Sequence, residues 1–150
     1  MKIALGSDHA GYPLKAEIIP FLTALGHQPV DLGCGPEEKA NYVLYGEKAV
    51  QAMLTGSCER AILFCGSGLG MAIVANKFRG VRATPCGDDY TARMSRAHND
   101  SNCLTLGARS TPADQARSIV RIWLETEFEG GRHQERLETL RELENRNFKL

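Results

Sequence analysis

The stretch Arg60-Ala61-Ile62-Leu63-Phe64-Cys65-Gly66-Ser67-Gly68-Leu69-Gly70 decides the fold. Residues 61–65 form an apolar run without a polar break, which is typical of a strand buried on both faces of a sheet. Three glycines follow, and residues 69–76 then show the spacing of a short helix. A buried strand that passes through a glycine turn into a helix indicates a parallel α/β sheet.

The same alternation of strand and helix runs along the rest of the chain. Apolar runs predict four further strands, at residues 2–6, 29–32, 81–86 and 102–106. Helical spacing predicts five further helices, at residues 14–25, 45–54, 90–97, about 112–128, and from about 132 onward. The alternation predicts an α/β fold, a Rossmann-like three-layer αβα sandwich with a five-stranded parallel sheet, formed by residues 1–150 as a single domain.

Three of these helices carry more detailed expectations. Pro20 lies inside the first helix and is expected to bend it, because its ring clashes with the carbonyl of residue 16. Thr111 precedes Pro112 and is expected to cap the helix after the last strand. The last helix has a narrow apolar stripe, so that it packs either on its own domain or on a partner subunit. The stripe consists of Leu137, Leu140 and Leu143.

Composition narrows the classes of function. The formal net charge is zero and no run is long and apolar enough to span a membrane, which argues against nucleic acid and membranes as partners. No signal peptide is visible at the N-terminus, so we expect a cytoplasmic protein. The five cysteines are an odd number without a Cys-x-x-Cys pair, which argues against a disulfide framework and a zinc site.

In a sheet of this kind, ligands bind where the parallel strands end. That rule selects four segments, at residues 7–9, 65–70, 86–90 and 107–109. Polar residues and glycines are concentrated in these segments, so we expect the binding site there.

The loop from Cys65 to Gly70 is the clearest candidate among them. Its glycines let the backbone approach a ligand, and its amides can face an anion such as a phosphate or an enediolate oxygen. Cys65 could serve as a nucleophile, a general base or a redox sensor, or it could be a buried cysteine with no chemical role. A dinucleotide site is disfavoured, because Met71 stands where Gly-x-Gly-x-x-Gly requires its third glycine.

Two pairs of polar residues are candidates for proton transfer. Asp8 and His9 follow the first strand, and the alternative is that Asp8 caps the next helix while His9 is exposed. His98 could be a general acid and Asn99 an oxyanion donor, or both could simply end the fourth helix.

Cationic side chains near the last helix are candidates for binding phosphate. Arg132 and Arg136 lie four residues apart and share one helix face, with His133 beside them at the helix start. Two guanidinium groups suit a phosphate dianion, whereas the neighbouring glutamates favour a solvated, salt-bridged face instead. Arg109 follows the last strand and could be a further phosphate ligand or part of a structural ion pair.

Six motifs, taken in order, resemble the ribose-5-phosphate isomerase B family, which also includes allose-6-phosphate and galactose-6-phosphate isomerases. The resemblance covers nearly the whole chain. The motifs are Gly-Ser-Asp-His-Ala-Gly at 6–11, Cys-Gly-Ser-Gly-Leu-Gly at 65–70, Ala-Asn-Lys-Phe at 75–78, Arg-Ala-His-Asn-Asp at 96–100, Leu-Gly-Ala-Arg at 106–109 and Gly-Gly-Arg-His at 130–133.

The resemblance implies aldose–ketose isomerisation through a cis-enediolate without a metal or another cofactor, with ribose 5-phosphate as the first substrate to expect. It implies that Cys65 moves the proton between C2 and C1 and that Ser67 assists proton movement between the oxygens. His98 would open the sugar ring, and Asp8 would hold the ring hydroxyls or ring oxygen. The anion hole would consist of Asn99 and the amides of Gly66, Gly68, Leu69 and Gly70. The phosphate would be bound by His9, Arg109, Arg132, His133 and Arg136.

The resemblance also implies a homodimer or a dimer of dimers whose active site is shared, with Arg132, His133 and Arg136 acting in the neighbouring subunit's site. One segment departs from the family, because Asn41-Tyr42-Val43 stands where members usually have Asp-Tyr-Pro. Tyr42 is retained as a substrate contact, but the acid and the proline are absent, so a six-carbon or other sugar phosphate stays open. A non-catalytic phospho-sugar or nucleotide-binding module and a nicotinamide-dependent reductase are the alternatives from other classes.

Overall fold

The computed structural model describes residues 1–148, in which five strands alternate with six helices. The strands are β1 (Lys2–Ser7), β2 (Gln28–Asp31), β3 (Arg60–Cys65), β4 (Ala83–Pro85) and β5 (Cys103–Gly107). The helices are α1 (Tyr12–Ala24), α2 (Tyr42–Leu54), α3 (Leu69–Ala75), α4 (Asp89–Ala97), α5 (Ala113–Glu125) and α6 (Arg132–Asn147).

The strands form one parallel sheet in the order β2-β1-β3-β5-β4. The predicted α/β fold with a five-stranded parallel sheet is therefore confirmed. The chain builds the sheet outward from β1 in both directions, since β1 pairs with β2 on one side and with β3 on the other. A crevice for ligands is expected at such a reversal point, outside the carboxyl ends of β1 and β3.

Two cores cover the two faces of the sheet, because alternate residues of a buried strand point to opposite sides. On one face Leu5 and Leu104 pack with α1, α5 and the fully buried Trp123. On the other face Leu63 and Cys103 pack with α2 and α3. The sheet is thus rigid, and its strand ends are fixed platforms for the loops that follow them.

The bounds of two helices differ from the sequence prediction. α2 begins at Tyr42 rather than at residue 45, because the Asn41 side chain accepts a hydrogen bond from the Val43 amide at 3.1 Å and caps the helix. The predicted cap by Thr111 is wrong, since α5 follows Pro112 without a side-chain cap. The Thr111 amide is instead part of a turn and donates to the Gly107 carbonyl at 2.9 Å. α1 continues through Pro20, and the bend expected there stays a prediction.

Gly11 lets the turn before α1 pack directly on the end of β3. A Cβ at this position would overlap the Phe64 carbonyl oxygen and lie 2.8 Å from the Cys65 amide nitrogen. Both neighbours are backbone atoms of a central strand, so no change of rotamer relieves the overlap. The contact therefore fixes the end of β1 against the strand that carries Cys65.

Replacing Gly11 by alanine should lower the free energy of unfolding by about 1–3 kcal/mol, because the added methyl group overpacks a rigid backbone contact. Urea denaturation followed by circular dichroism measures the change. Gly87→Ala is the matched control, since its Cβ meets no atom within 4 Å, and its effect should stay within about 0.5 kcal/mol. Equal midpoints for the two variants would contradict the packing argument.

Candidate active site

The first group of predicted residues lies at the carboxyl edge of the sheet. The strands β1, β3 and β5 are adjacent and parallel, with Ser7 paired with Phe64 and Cys65 paired with Gly107. The segments that follow these three strands therefore lie side by side. We call this group the carboxyl-edge cluster; its members are Asp8, His9, Tyr42, the loop from Cys65 to Gly70, and Arg109.

The Cys65 loop is folded around the side chains of Cys65 and Ser67. Gly68 has φ +79°, a left-handed conformation that glycine adopts without strain. Its amide donates a hydrogen bond to the Sγ atom of Cys65 at 3.1 Å, and the Leu69 amide donates to the Oγ atom of Ser67 at 3.2 Å. Two of the amides expected to face an anion therefore hold Cys65 and Ser67 in position.

The end of β5 supports this loop from the side. A Cβ on Gly107 would lie 2.6 Å from the carbonyl carbon of Ser67, so the two backbones meet only because Gly107 has no side chain. The Arg109 amide donates to the Gly66 carbonyl at 3.0 Å. The Arg109 guanidinium extends over Gly66, where a Cβ would lie 3.2 Å from the Nη1 atom. Within residues 1–148 this exposed cation forms no salt bridge, so it is available to an anion.

Asp8, His9 and Tyr42 border the same loop. The Oδ1 atom of Asp8 accepts a hydrogen bond from the Gly11 amide at 2.8 Å, so Asp8 does cap the turn before α1. The Oδ2 atom takes no part in that bond. His9 is exposed, and its Nδ1 atom accepts from the Ala40 amide at 3.3 Å. The Tyr42 ring lies against Gly70, where a Cβ would be 2.9 Å from the Cε2 atom.

Lys15, which was not predicted, fixes the segment after β2 next to the carboxyl-edge cluster. Its side chain is 1 % exposed, and its ammonium group donates to the Oδ1 atom of Asp31 at 2.7 Å and to the Cys34 carbonyl at 2.8 Å. The Cys34 amide in turn donates to the Ser7 carbonyl at 2.8 Å, directly before Asp8. The signal in the sequence was a lysine next to Leu14 on the apolar face of α1, three residues before Ile18.

Cys65 differs in its surroundings from the other cysteines. All five are unpaired and buried in the described part of the chain. Burial raises the pKa of the other four thiols above the usual cysteine value, which disfavours their thiolate forms. These four are Cys34, Cys58, Cys86 and Cys103. Cys65 is the one whose sulfur accepts an amide hydrogen bond from a strand-end glycine loop.

The second group of predicted residues lies around the end of α4 and the start of α6. The rings of His98 and His133 stack with their centroids 4.1 Å apart and their planes at 12°. The Oε2 atom of Glu129, which was not predicted, lies 3.8 Å from the Nε2 atom of His98 and 3.5 Å from that of His133. We call the group the amino-edge cluster; its members are His98, Asn99, Glu129, Arg132, His133 and Arg136.

Burial and the neighbouring cations act on the pKa of His133 in one direction, and Glu129 acts in the other. Burial lowers the pKa of its imidazole below the usual value, and the charges of His98 and Arg132 lower it further, whereas Glu129 raises it. Arg132 and Arg136 are exposed, and neither forms a salt bridge with any residue of the described chain. The predicted alternative of a salt-bridged face is therefore not what the structure shows for these two arginines.

The two clusters lie at opposite edges of the sheet. α4 runs back from the carboxyl end of β4, and His98 ends it, so His98 and Asn99 lie before the start of β5. The Asn102 carbonyl, a few residues on, accepts from Ala61 at the beginning of β3. A strand of five or six residues separates the two edges by roughly 15–20 Å. Within one chain, Cys65 and His98 therefore do not meet.

Comparison with known proteins agrees with the fold and identifies the family. The family model described as Ribose/Galactose Isomerase matches residues 3–140. Ribose-5-phosphate isomerase B of Escherichia coli is 42 % identical over 145 residues, which cover 97 % of each chain. The D-erythrulose-4-phosphate isomerase of Pectobacterium atrosepticum is 39 % identical over 132 residues, 87 % of each chain. The solved structure of Clostridium thermocellum ribose-5-phosphate isomerase B is 47 % identical, covers 97 % of this chain and 99 % of its own, and superposes with a TM-score of 0.95.

The parallel α/β sheet and the similarity to these proteins define the class of sugar-phosphate isomerases. The chain belongs to the Ribose/Galactose Isomerase family. Among residues 1–148, none of the helices combines the length and the apolar character needed to cross a membrane.

Replacing Lys15 by methionine should lower the free energy of unfolding by about 1–3 kcal/mol, because it leaves the buried Cys34 carbonyl without its donor. Asp31 is 44 % exposed and can be hydrated, which keeps the loss below that of a fully buried ion pair. Urea denaturation measures the change in the free energy of unfolding. Arg117→Met removes the exposed ion pair with Glu17 and should change stability by less than about 0.5 kcal/mol. If both variants lose the same amount, Lys15 does not anchor the segment after β2.

Proposed function

We propose that the chain interconverts ribose 5-phosphate and ribulose 5-phosphate in the cytoplasm, without a metal or another cofactor. The observation that carries the proposal is the Cys65 thiol, held by the Gly68 amide in a glycine loop between Asp8 and Arg109. In this proposal Cys65 is the base, the loop amides bind the enediolate anion, and Arg109 is a cation at the same ends of the strands. Isomerisation requires a base, stabilisation of an enediolate and an anchor for the phosphate.

The reaction starts with opening of the sugar ring. His98 donates a proton to the ring oxygen, Asp8 accepts the proton of the anomeric hydroxyl, and the bond between C1 and the ring oxygen breaks. Cys65 then removes the proton from C2 and returns it to C1. Ser67 passes the proton of the C2 hydroxyl to the C1 oxygen, so that the aldehyde becomes a hydroxymethyl group and C2 becomes the ketone.

Fixed donors stabilise the intermediate and the phosphate. The negative charge of the enediolate is stabilised by the Asn99 amide and by amides of the Gly66–Gly70 loop that do not already hold Cys65 and Ser67. Tyr42, beside Gly70, contacts the sugar. The phosphate is bound at the far end by cations that form no salt bridge within the described chain, together with two imidazoles. These groups are Arg109, Arg132 and Arg136, with His9 and His133.

The active site of this proposal is built from two chains, in a homodimer or a dimer of dimers. Its support is the division of the residues between two edges of one sheet, because no single chain brings Cys65 to His98. The apolar stripe of α6 is a second argument for a partner subunit. Leu140 is 48 % exposed and Leu143 is 44 % exposed, and both border a cavity of about 410 Å³ between α6 and the edge strand β4. A second copy that covers this face buries the stripe and completes the site.

A shorter substrate is the second candidate. A relative 39 % identical to this chain is named D-erythrulose-4-phosphate isomerase. A four-carbon aldose phosphate carries its phosphate on O4 and cannot close a five-membered ring, so it has no need of the ring-opening acid. Six-carbon sugar phosphates, such as allose 6-phosphate and galactose 6-phosphate, are the remaining alternatives.

The purified protein should convert ribose 5-phosphate to ribulose 5-phosphate, and Cys65→Ala should lower kcat by about 10³-fold or more, because it removes the base. A coupled assay follows the ketose, with erythrose 4-phosphate and allose 6-phosphate measured alongside. Cys58→Ala, another buried cysteine, is the matched control and should keep kcat within about twofold. Faster turnover of another of these sugars would change the assigned substrate and leave the proposed mechanism unchanged. A protein inert toward all three, or an active Cys65→Ala variant, would refute the proposal.

Mixing two inactive variants should restore activity if the site is shared. A dimer of one Cys65→Ala chain and one His98→Asn chain has one site with both residues intact and one with neither. Random exchange of subunits makes half of the dimers mixed, so the mixture should reach about one quarter of the unmodified activity. Subunit exchange by mild denaturation and refolding, followed by the ribose 5-phosphate assay, measures this. Activity no higher than the sum of the two variants means that each chain completes its own site.

A further inference from the structure

We propose that Glu129 is a positioning residue for the imidazole pair of His98 and His133. Its carboxylate holds both rings at the edge of the site and balances the positive charge that the pair carries while His98 donates its proton. The catalytic part of this inference rests on the proposed function, whereas the cluster itself can be tested without any activity.

The backbone builds the cluster from two segments, the end of α4 and residues 129–133. The Glu129 amide donates a hydrogen bond to the Ala97 carbonyl at 3.0 Å, which fixes the residue beside the end of α4. Gly130 and Gly131 then adopt positive φ angles of +68° and +56°, which side chains disfavour, and reverse the chain. The His133 amide donates to the Gly130 carbonyl at 3.1 Å, which places the first turn of α6 against His98. Glu129 is therefore held in place by backbone contacts on both sides.

The side-chain geometry suits a shared carboxylate. One oxygen, Oε2 of Glu129, faces the Nε2 atoms of both rings at 3.8 Å and 3.5 Å. These distances are typical of ion pairs. If the carboxylate moved about 0.5 Å toward the rings, both contacts would reach hydrogen-bonding distance. The ring planes are nearly parallel, at 12°, and both Nε2 atoms lie on the side of the same carboxylate oxygen. Two N–H groups can therefore both donate to this one carboxylate.

The charges around the pair explain why it needs a carboxylate. Stacked imidazoles 4.1 Å apart repel one another when both are protonated. His133 is buried and also lies in the fields of Arg132 and Arg136, all of which favour its neutral form. Glu129 is the opposing charge, and it raises the pKa of His133. A phosphate bound by the same arginines adds a second negative charge, so the pair can keep a proton when substrate is present.

The expected effect of Glu129→Gln has two parts. Proton binding by His133 should weaken by roughly threefold or more, because the glutamine keeps the shape and removes the charge. The alkaline limb of the pH–rate profile should move to lower pH, since an acid that binds its proton less tightly is deprotonated earlier. At pH 8 kcat for ribose 5-phosphate should fall by about threefold, in proportion to the weaker proton binding, while KM changes by less than about twofold.

The experiment compares the unmodified protein with Glu129→Gln and Glu127→Gln. Glu127 is an exposed glutamate two residues away in the same segment, so its variant makes the same charge change without contact to the rings. NMR titration of the imidazole C–H signals is practical because the chain has four histidines. Glu129→Asp is the conservative variant and should recover part of the lost kcat.

Each outcome decides one part of the inference. A His133 titration that shifts in Glu129→Gln and not in Glu127→Gln supports the cluster, and identical titrations in all three proteins overturn it. A shifted titration with an unchanged pH–rate profile overturns the catalytic role. If the unmodified protein does not act on ribose 5-phosphate, the proposed function fails, but the NMR titration still decides whether Glu129 holds the pair.

Discussion

The polarity of the parallel sheet is the constraint on which the rest depends. Every strand ends at one edge, and each helix that follows a strand returns the chain to the other, so residues after a strand and residues after such a helix are separated by the length of a strand. Cys65 follows a strand and His98 follows a helix. A reaction that uses both requires a second chain whose amino edge meets the first chain's carboxyl edge. A two-fold axis makes that contact twice, which produces two equal sites.

Close backbone contacts give the carboxyl-edge cluster its precision. Gly11 packs on the end of β3, and Gly107 packs on Ser67, so three neighbouring strand ends are held at distances that any side chain would exclude. Loop amides then bind the Cys65 sulfur and the Ser67 oxygen directly. The Cys65 and Ser67 side chains are thus positioned by main-chain atoms attached to a buried sheet, and their alignment does not depend on mobile side chains.

The sequence revealed the fold because periodicity and glycine turns are local signals. The run at residues 60–65 and the strands around it were predictable from hydrophobic pattern alone, and the gathering of Asp8 and the Cys65 loop followed from parallel topology. The start of α5 was mispredicted because the turn after β5 takes up the Thr111 amide. Glu129 was missed because one exposed glutamate in a charged segment looks like its neighbours until the chain reversal at Gly130 places it beside two imidazoles.

The departure at residues 41–43 concerns charge rather than fold. Asn41 caps α2 through its side chain, as an aspartate at that position would, so the helix begins at Tyr42 and the Tyr42 ring still reaches Gly70. What this chain lacks relative to the usual Asp-Tyr-Pro is one negative charge and one rigid residue close to the loop. Removing a carboxylate near a bound anion lowers repulsion without creating a new contact. Under the proposed function, selectivity among sugar phosphates depends on where Tyr42 meets the sugar, and on whether the substrate has a ring for His98 to open.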